Sequence, residues 1–279
     1  MPATDESVPH AACEPGLRLP RRVAFDAPWD WLAAGWRDMW QIPDVSLGYG
    51  AIIVSIAVLL FVGLWSIDAH SLIPAIGGGF LLLGPFATVG LYEASRRLQE
   101  GKRLTLSQAG MAWLDARGQV AFFGAILLAV FMLWLELALL LSMLFLGTSD
   151  LPQPGAFMQS LLLTTRGLGL LIAGSMVGGL LAAFVFAISV VALPMLLAED
   201  VDAVTAARAS MAAVFHNPKP MVLWAALIVV IMAAGFATLL AGLIIVLPLI
   251  GHATWHAYSA LYGDPDASIA GRGIDPLVR

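Results

Sequence analysis

Two histidines, His252 and His256, stand four residues apart in the run L-P-L-I-G-H-A-T-W-H-A-Y-S-A-L-Y of Leu247 to Tyr262. On a helix this spacing puts both imidazoles on one face. Neutral imidazoles so placed can ligate a transition metal or the iron of a haem, the cofactor classes such a pair would serve. No acid lies between them to act as the base of an H-E-x-x-H site, and a metal would need further ligands from elsewhere in the chain. Glu93, Asp202 and His256 each stand eight residues after a proline (Pro85, Pro194 and Pro248), which suggests that the three meet as one polar cluster at a membrane face. The plainer reading is three interfacial residues bonded to loops or headgroups, with Trp255 as a belt aromatic. A fourth candidate is Glu136, the one acid deep inside an apolar run. An ionisable group at membrane depth is costly and commonly marks an ion or proton relay, or is held neutral by hydrogen bonds. Arg96 and Arg97 suit anionic headgroups or pairing with Asp202, or act as topological anchors. The sequence contains no phosphate-binding glycine loop, G-x-S-x-G elbow, H-E-x-x-H or paired cysteine nucleophile, so no catalytic set supports an enzyme.

Composition decides what must position these residues. At 60% hydrophobic and 12% charged, with a mean hydropathy of +0.88, the chain is far more apolar than a soluble domain. It reads as an all-α polytopic membrane protein. The net charge of −5 is distributed over loops, and no basic face for nucleic acid exists. The single cysteine, Cys13, lies in a polar N-terminal stretch, so neither an intrachain disulfide nor a thiolate cluster can form. The first 20 residues lack the basic start and apolar run of a cleaved signal peptide, so the first span is expected to direct insertion.

Residues 1–22, rich in Pro, Glu, Ala and Arg, read as a disordered tail. Asp26 is the expected N-cap for A-P-W-D-W-L-A-A-G-W-R-D-M-W, with Pro28 in the first turn. Here Trp29, Leu32, Ala33, Trp36, Met39 and Trp40 fall on one face, suited to the membrane interface or to packing on neighbours, while Asp30, Arg37 and Asp38 point elsewhere. Residues 23–262 form the membrane domain, with spans expected at about 47–65, 71–92, 119–146, 167–197, 221–237 and 240–262, followed by a flexible tail over 263–279. Each is near or above the ~20 residues needed to cross the hydrocarbon core. Gly77–Gly79 and Gly84-Pro85 predict a packed or kinked second span, and Gly174, Gly178 and Ala182 a helix contact in the fourth. Thr105 and Gln108 have capping-box spacing before a second amphipathic segment, and 147–166 reads as a polar loop. A third amphipathic segment over 202–216 ends at Asn217-Pro218. From Met221 to Tyr262 no charge occurs, and as one helix this would run about 63 Å, so it must fold back, most simply near Gly235 to Gly242. With six spans, 13 of the 14 Lys and Arg residues share one side, opposite Arg166, which places both termini in the cytoplasm under the positive-inside rule. The pattern is three transmembrane hairpins, each preceded by an amphipathic interfacial helix.

Three stretches carry a family resemblance: the tryptophan-rich segment above, F-L-L-L-G-P-F-A-T-V-G-L-Y-E-A-S-R-R of Phe80 to Arg97, and G-H-A-T-W-H-A-Y of Gly251 to Tyr258. Together, over about Arg22 to Tyr262, the chain resembles the bacterial integral-membrane family called domain of unknown function 2189. Members are sometimes labelled similar to cytochrome c oxidase subunit I. An oxidase needs several in-span histidines for two haems and copper, whereas this chain has one H-x-x-x-H, with His70 in a turn and His216 before Asn-Pro. The resemblance implies a multi-pass protein of the bacterial inner membrane and supplies no activity. Three functions fit: a non-catalytic accessory component that partners the bilayer and other subunits of a membrane complex; a small-solute or ion transporter using Glu136; and a haem or metal protein using His252 and His256.

Overall fold

The computed structural model describes residues 19–69, 72–115, 118–147 and 154–263; the expectations for Cys13, His70 and most of both tails lie outside these. The described residues form twelve helices, in order: α1 Ala27–Gln41, α2 Pro43–Ser66, α3 Ile73–Ala87, α4 Val89–Gln99, α5 Leu106–Asp115, α6 Gln119–Leu146, α7 Pro154–Leu163, α8 Thr165–Ser189, α9 Ala192–Ala198, α10 Ala203–His216, α11 Pro218–Ala237 and α12 Leu243–Tyr262. No strand occurs among the described residues. Counting α3–α4 and α8–α9 as broken single helices, six are long and apolar enough to cross a bilayer.

Local chemistry explains the boundaries. Thr105 and Gln108 form the expected reciprocal box, the Thr105 N–H donating to Gln108 Oε1 at 2.9 Å and the Gln108 N–H to Thr105 Oγ1 at 3.4 Å. Asn217-Pro218 separates α10 from α11, and the fold-back falls at 238–242. Asp26 stands at the N-cap position of α1 but makes no side-chain cap, and the expected polar loop at 147–166 contains helix α7. The second span breaks at Thr88, three residues after Pro85, whose ring removes a helix donor. Residues 19–23, at the edge of the expected tail, are tied down instead: the Arg21 N–H donates to the Leu261 carbonyl, and the Asn217 side-chain amide bonds Arg21 and Val23 through their backbones.

The core lies at one end of the molecule. There α4, α9 and the second half of α12, each following a break or a proline, pack together under α1 and α10, burying Tyr92, Leu193, Trp255 and Tyr258. Above this base α3, α6 and α8 continue as a thinner layer, with Phe131 and Trp134 of α6 seated on Gly79 and Gly78 of α3. Trp134 also covers Gly178 of α8, as the small-residue pattern predicts, whereas Gly174 faces open space.

Candidate functional site

The C-terminal half of α12 brings His252 and His256 against α1, α2 and α4, and the three partners come from sequence-distant helices. Ser46 of α2 lies 2.9 Å from His252 Nε2. Ser95 of α4 lies 2.7 Å from His252 Nδ1 and donates to Asp38 Oδ2 of α1 at 2.6 Å. His256 Nε2 meets the same Asp38 oxygen at 2.8 Å. Ser46, Ser95 and His252 are fully enclosed, Asp38 is 8% exposed, and His256 sits at the rim.

The proton positions follow from the donors available. An ionised carboxylate only accepts, so the one hydroxyl proton of Ser95 goes to Asp38. Ser95 then accepts from His252 Nδ1–H, and the bare Nε2 accepts the proton of Ser46. Asp38 is therefore the common acceptor of a chain running Ser46, His252, Ser95 and of the separate donor His256. Burial pushes the Asp38 carboxyl up, but the hydrogen bond and charge of His256 and the hydrogen bond from Ser95 together outweigh it and hold the group below its ordinary value.

Close backbone approach makes the network fit. Gly35 of α1 lies against Ala253, where a Cβ would come within 2.6 Å of the backbone nitrogen. Gly50 of α2 lies against the carbonyl of Ile244, which Pro248 leaves without its helical N–H donor, and a side chain at Gly50 would collide with that oxygen.

The other candidates lie apart. Glu93 does not meet His256: it binds Arg96 at 2.7 and 2.8 Å and Arg97 at 2.6 Å on its own helix. Asp202 meets neither, since it caps α10 from the surface by accepting the N–H groups of Val204 and Thr205; a further bond from the Thr205 hydroxyl, the largest influence, holds its carboxyl below the usual range. Arg96 and Arg97 are thus occupied by Glu93, not by Asp202. Glu136 stands exposed on the outward face of α6, between Met132 and Leu140.

Asp38, Ser46 and Ser95 do not stand out in the sequence, where the tryptophan spacing puts Asp38 on the outer side of α1. The signal available was the spacing Trp31, Gly35, Asp38, Ile42, which is the face α1 buries; Trp29, Trp36 and Trp40 are the exposed ones. As a metal site the pair fits poorly. Both His252 nitrogens are engaged by serines, and no group of three or more His, Cys, Asp or Glu residues among those described is arranged to hold a metal.

A chain that is helical without strands among the described residues, with six helices there long and apolar enough to cross a bilayer, is an integral membrane protein. Residues 72–198 match the model of the family described as "Predicted integral membrane protein (DUF2189)". The match includes Glu93, Ser95, Arg96, Arg97 and Glu136 and stops short of Asp38, Ser46 and both histidines. No curated protein and no solved structure gives a significant match to the chain.

Proposed function

We propose that this protein is a non-catalytic, self-associating component of a bacterial inner-membrane assembly, with both termini cytoplasmic, and that it docks through the outward face of α6. The observation that carries this reading is Glu136. It stands near the middle of a 28-residue apolar helix, on the side turned away from α3 and α8. A carboxyl there costs about 2.5–3.5 kcal/mol in lipid on insertion scales, which a hydrogen-bond donor from another helix relieves. A second copy offers one. Ser175 is exposed on α8, one turn from the Gly178 that covers Trp134, and Trp134 precedes Glu136 by two residues, so hydroxyl and carboxyl lie at matching depth. Gly179, open on the same face, permits close helix approach.

A relay glutamate would face the bundle interior or a water-filled path, and this one faces out, which favours docking over transport. The polar chain at the base is closed at Ser46, which is fully buried, so it suits locking helices together better than carrying protons through. A photo-crosslinker at Met132, exposed one turn before Glu136, tests the reading in native membranes. A product of twice the 29.5 kDa chain mass, absent when the crosslinker is placed at Leu59 on α2, is expected. Adducts to lipid alone, or to a foreign protein alone, contradict it.

A further inference from the structure

The helices do not reach the same height above the base. Ser46 and Ser95 both bond His252, so α2, α4 and α12 share one level there. Charges crowd this level from below. Asp44 is exposed just before Ser46, and Arg96, Arg97, Glu100, Lys102 and Arg103 follow Ser95. Exposed charges cannot enter hydrocarbon cheaply, so this level marks the membrane boundary on the side of the termini. From it, the twenty residues from Ser46 to Ser66 on α2 rise about 30 Å, the thickness of the hydrocarbon core. The nine residues from His252 back to Leu243 on α12 rise only about 14 Å, the depth of one leaflet.

Contacts agree with that height. Val54 of α2 clusters with Leu243, Leu247 and Met232 near the top of the α11–α12 pair. Beyond it α2 continues for about 18 Å, and Val58, Leu59, Leu60, Phe61 and Val62 are all exposed.

The turn itself is made for hydrocarbon. Between α2 and α3 stands Asp68, and between α6 and α7 stands Asp150, but the turn over 238–242 reads T-L-L-A-G, within the uncharged run from Met221 to Tyr262. Backbone groups in lipid must be satisfied internally. Here the N–H groups of Thr238, Leu239, Ala241 and Leu243 bond carbonyls of the same turn, and the Thr238 hydroxyl accepts the Gly242 N–H at 2.6 Å while donating to the Gly235 carbonyl at 2.7 Å. The turn's one polar side chain is used up inside it, and Leu239 projects from the tip, 91% exposed.

We infer that α11 and α12 do not cross the membrane: the pair is a re-entrant hairpin that enters from the side of the termini, turns at 238–242 near the bilayer midplane, and presents Leu239 to the acyl chains of one leaflet. Four helices cross instead of six, and both termini still share one side. The hairpin displaces lipid in one leaflet only, and the free upper half of α2 borders the lipid above its tip.

Single cysteines in a Cys13→Ser background decide this. Leu239→Cys, with Ala241→Cys as a second reporter, and Ile67→Cys beside Asp68 are treated with a membrane-impermeant maleimide from each face of sealed vesicles, and nitroxide-labelled forms are read for oxygen against a water-soluble nickel chelate. The expected result is that Ile67→Cys labels from the face opposite the termini, while Leu239→Cys and Ala241→Cys label from neither face until detergent is added and show high oxygen and low nickel accessibility. Maleimide labelling of both tip cysteines from either face of intact vesicles, or nickel accessibility at the tip equal to that at Ile67→Cys, overturns it.

Discussion

Asp38 serves two donors, the fully enclosed Ser95 and the rim residue His256, which makes it the residue whose loss the base tolerates least. Leaving buried donors unpaired costs about 1–3 kcal/mol each, and breaking a buried charged pair reaches about 3–5 kcal/mol. Asp38→Ala is therefore expected to lower unfolding stability in mild detergent by about 2–5 kcal/mol, against about 1 kcal/mol for Ser46→Ala, which removes a single hydroxyl donor from the end of the chain. Equal effects of the two would contradict the central position of Asp38. The pH dependence has a definite sign. Because the folded-state pKa of Asp38 is depressed, its contribution is complete above the unfolded carboxylate value of about 3.9 and is lost as pH falls through the lower folded value. Tryptophan emission from the Trp31–Trp224 contact, where α1 meets α11, should stay constant from pH 7 to about 4 and change only below. Asp38→Asn should shift the midpoint of that acid transition, and an unchanged midpoint would exclude Asp38 as a contributor.

At the scale of helices, the two close glycine contacts hold α1 and α2 on α12. Gly35→Val is expected to destabilise by about 1–3 kcal/mol, because the obstructing atoms at Ala253 are backbone and cannot rotate away. Gly63→Val, where nothing lies within 4 Å, should be near neutral in the same assay. The long helices were legible in the sequence because an uninterrupted apolar run of about 20 residues has few other uses, and Asn217-Pro218 and the Thr105–Gln108 box are local signals that need no partner. Asp38 was not legible for the opposite reason. Its inward direction depends on α12 approaching α1 at Gly35, a contact between residues more than 200 positions apart, and the tryptophans that dominate the sequence of α1 belong to its exposed side. The eight-residue interval that links Glu93, Asp202 and His256 to prolines is real, but Glu93 has two arginines on its own helix and Asp202 has a helix N-terminus to cap, and near partners won over distant ones. Glu136 was legible as an anomaly, while the side of α6 it occupies required the packing of Trp134 on α3 and α8.

At the scale of the whole molecule, a compact base locked by polar contacts carries a thin layer of apolar helices, and one acid on that layer's outer face, Glu136, stands exposed with no hydrogen-bond or ion-pair partner among the described residues. Association through Glu136 gives that acid its partner. The most direct measurement is the particle mass of the full chain extracted into native lipid nanodiscs, compared between wild type, Glu136→Gln and Glu136→Leu. The expected protein mass is at least two 29.5 kDa chains for the wild type, retained in Glu136→Gln, which keeps a hydrogen-bonding side chain, and reduced to one chain in Glu136→Leu. A wild-type particle holding a single chain, or a Glu136→Leu particle of unchanged mass, would contradict it.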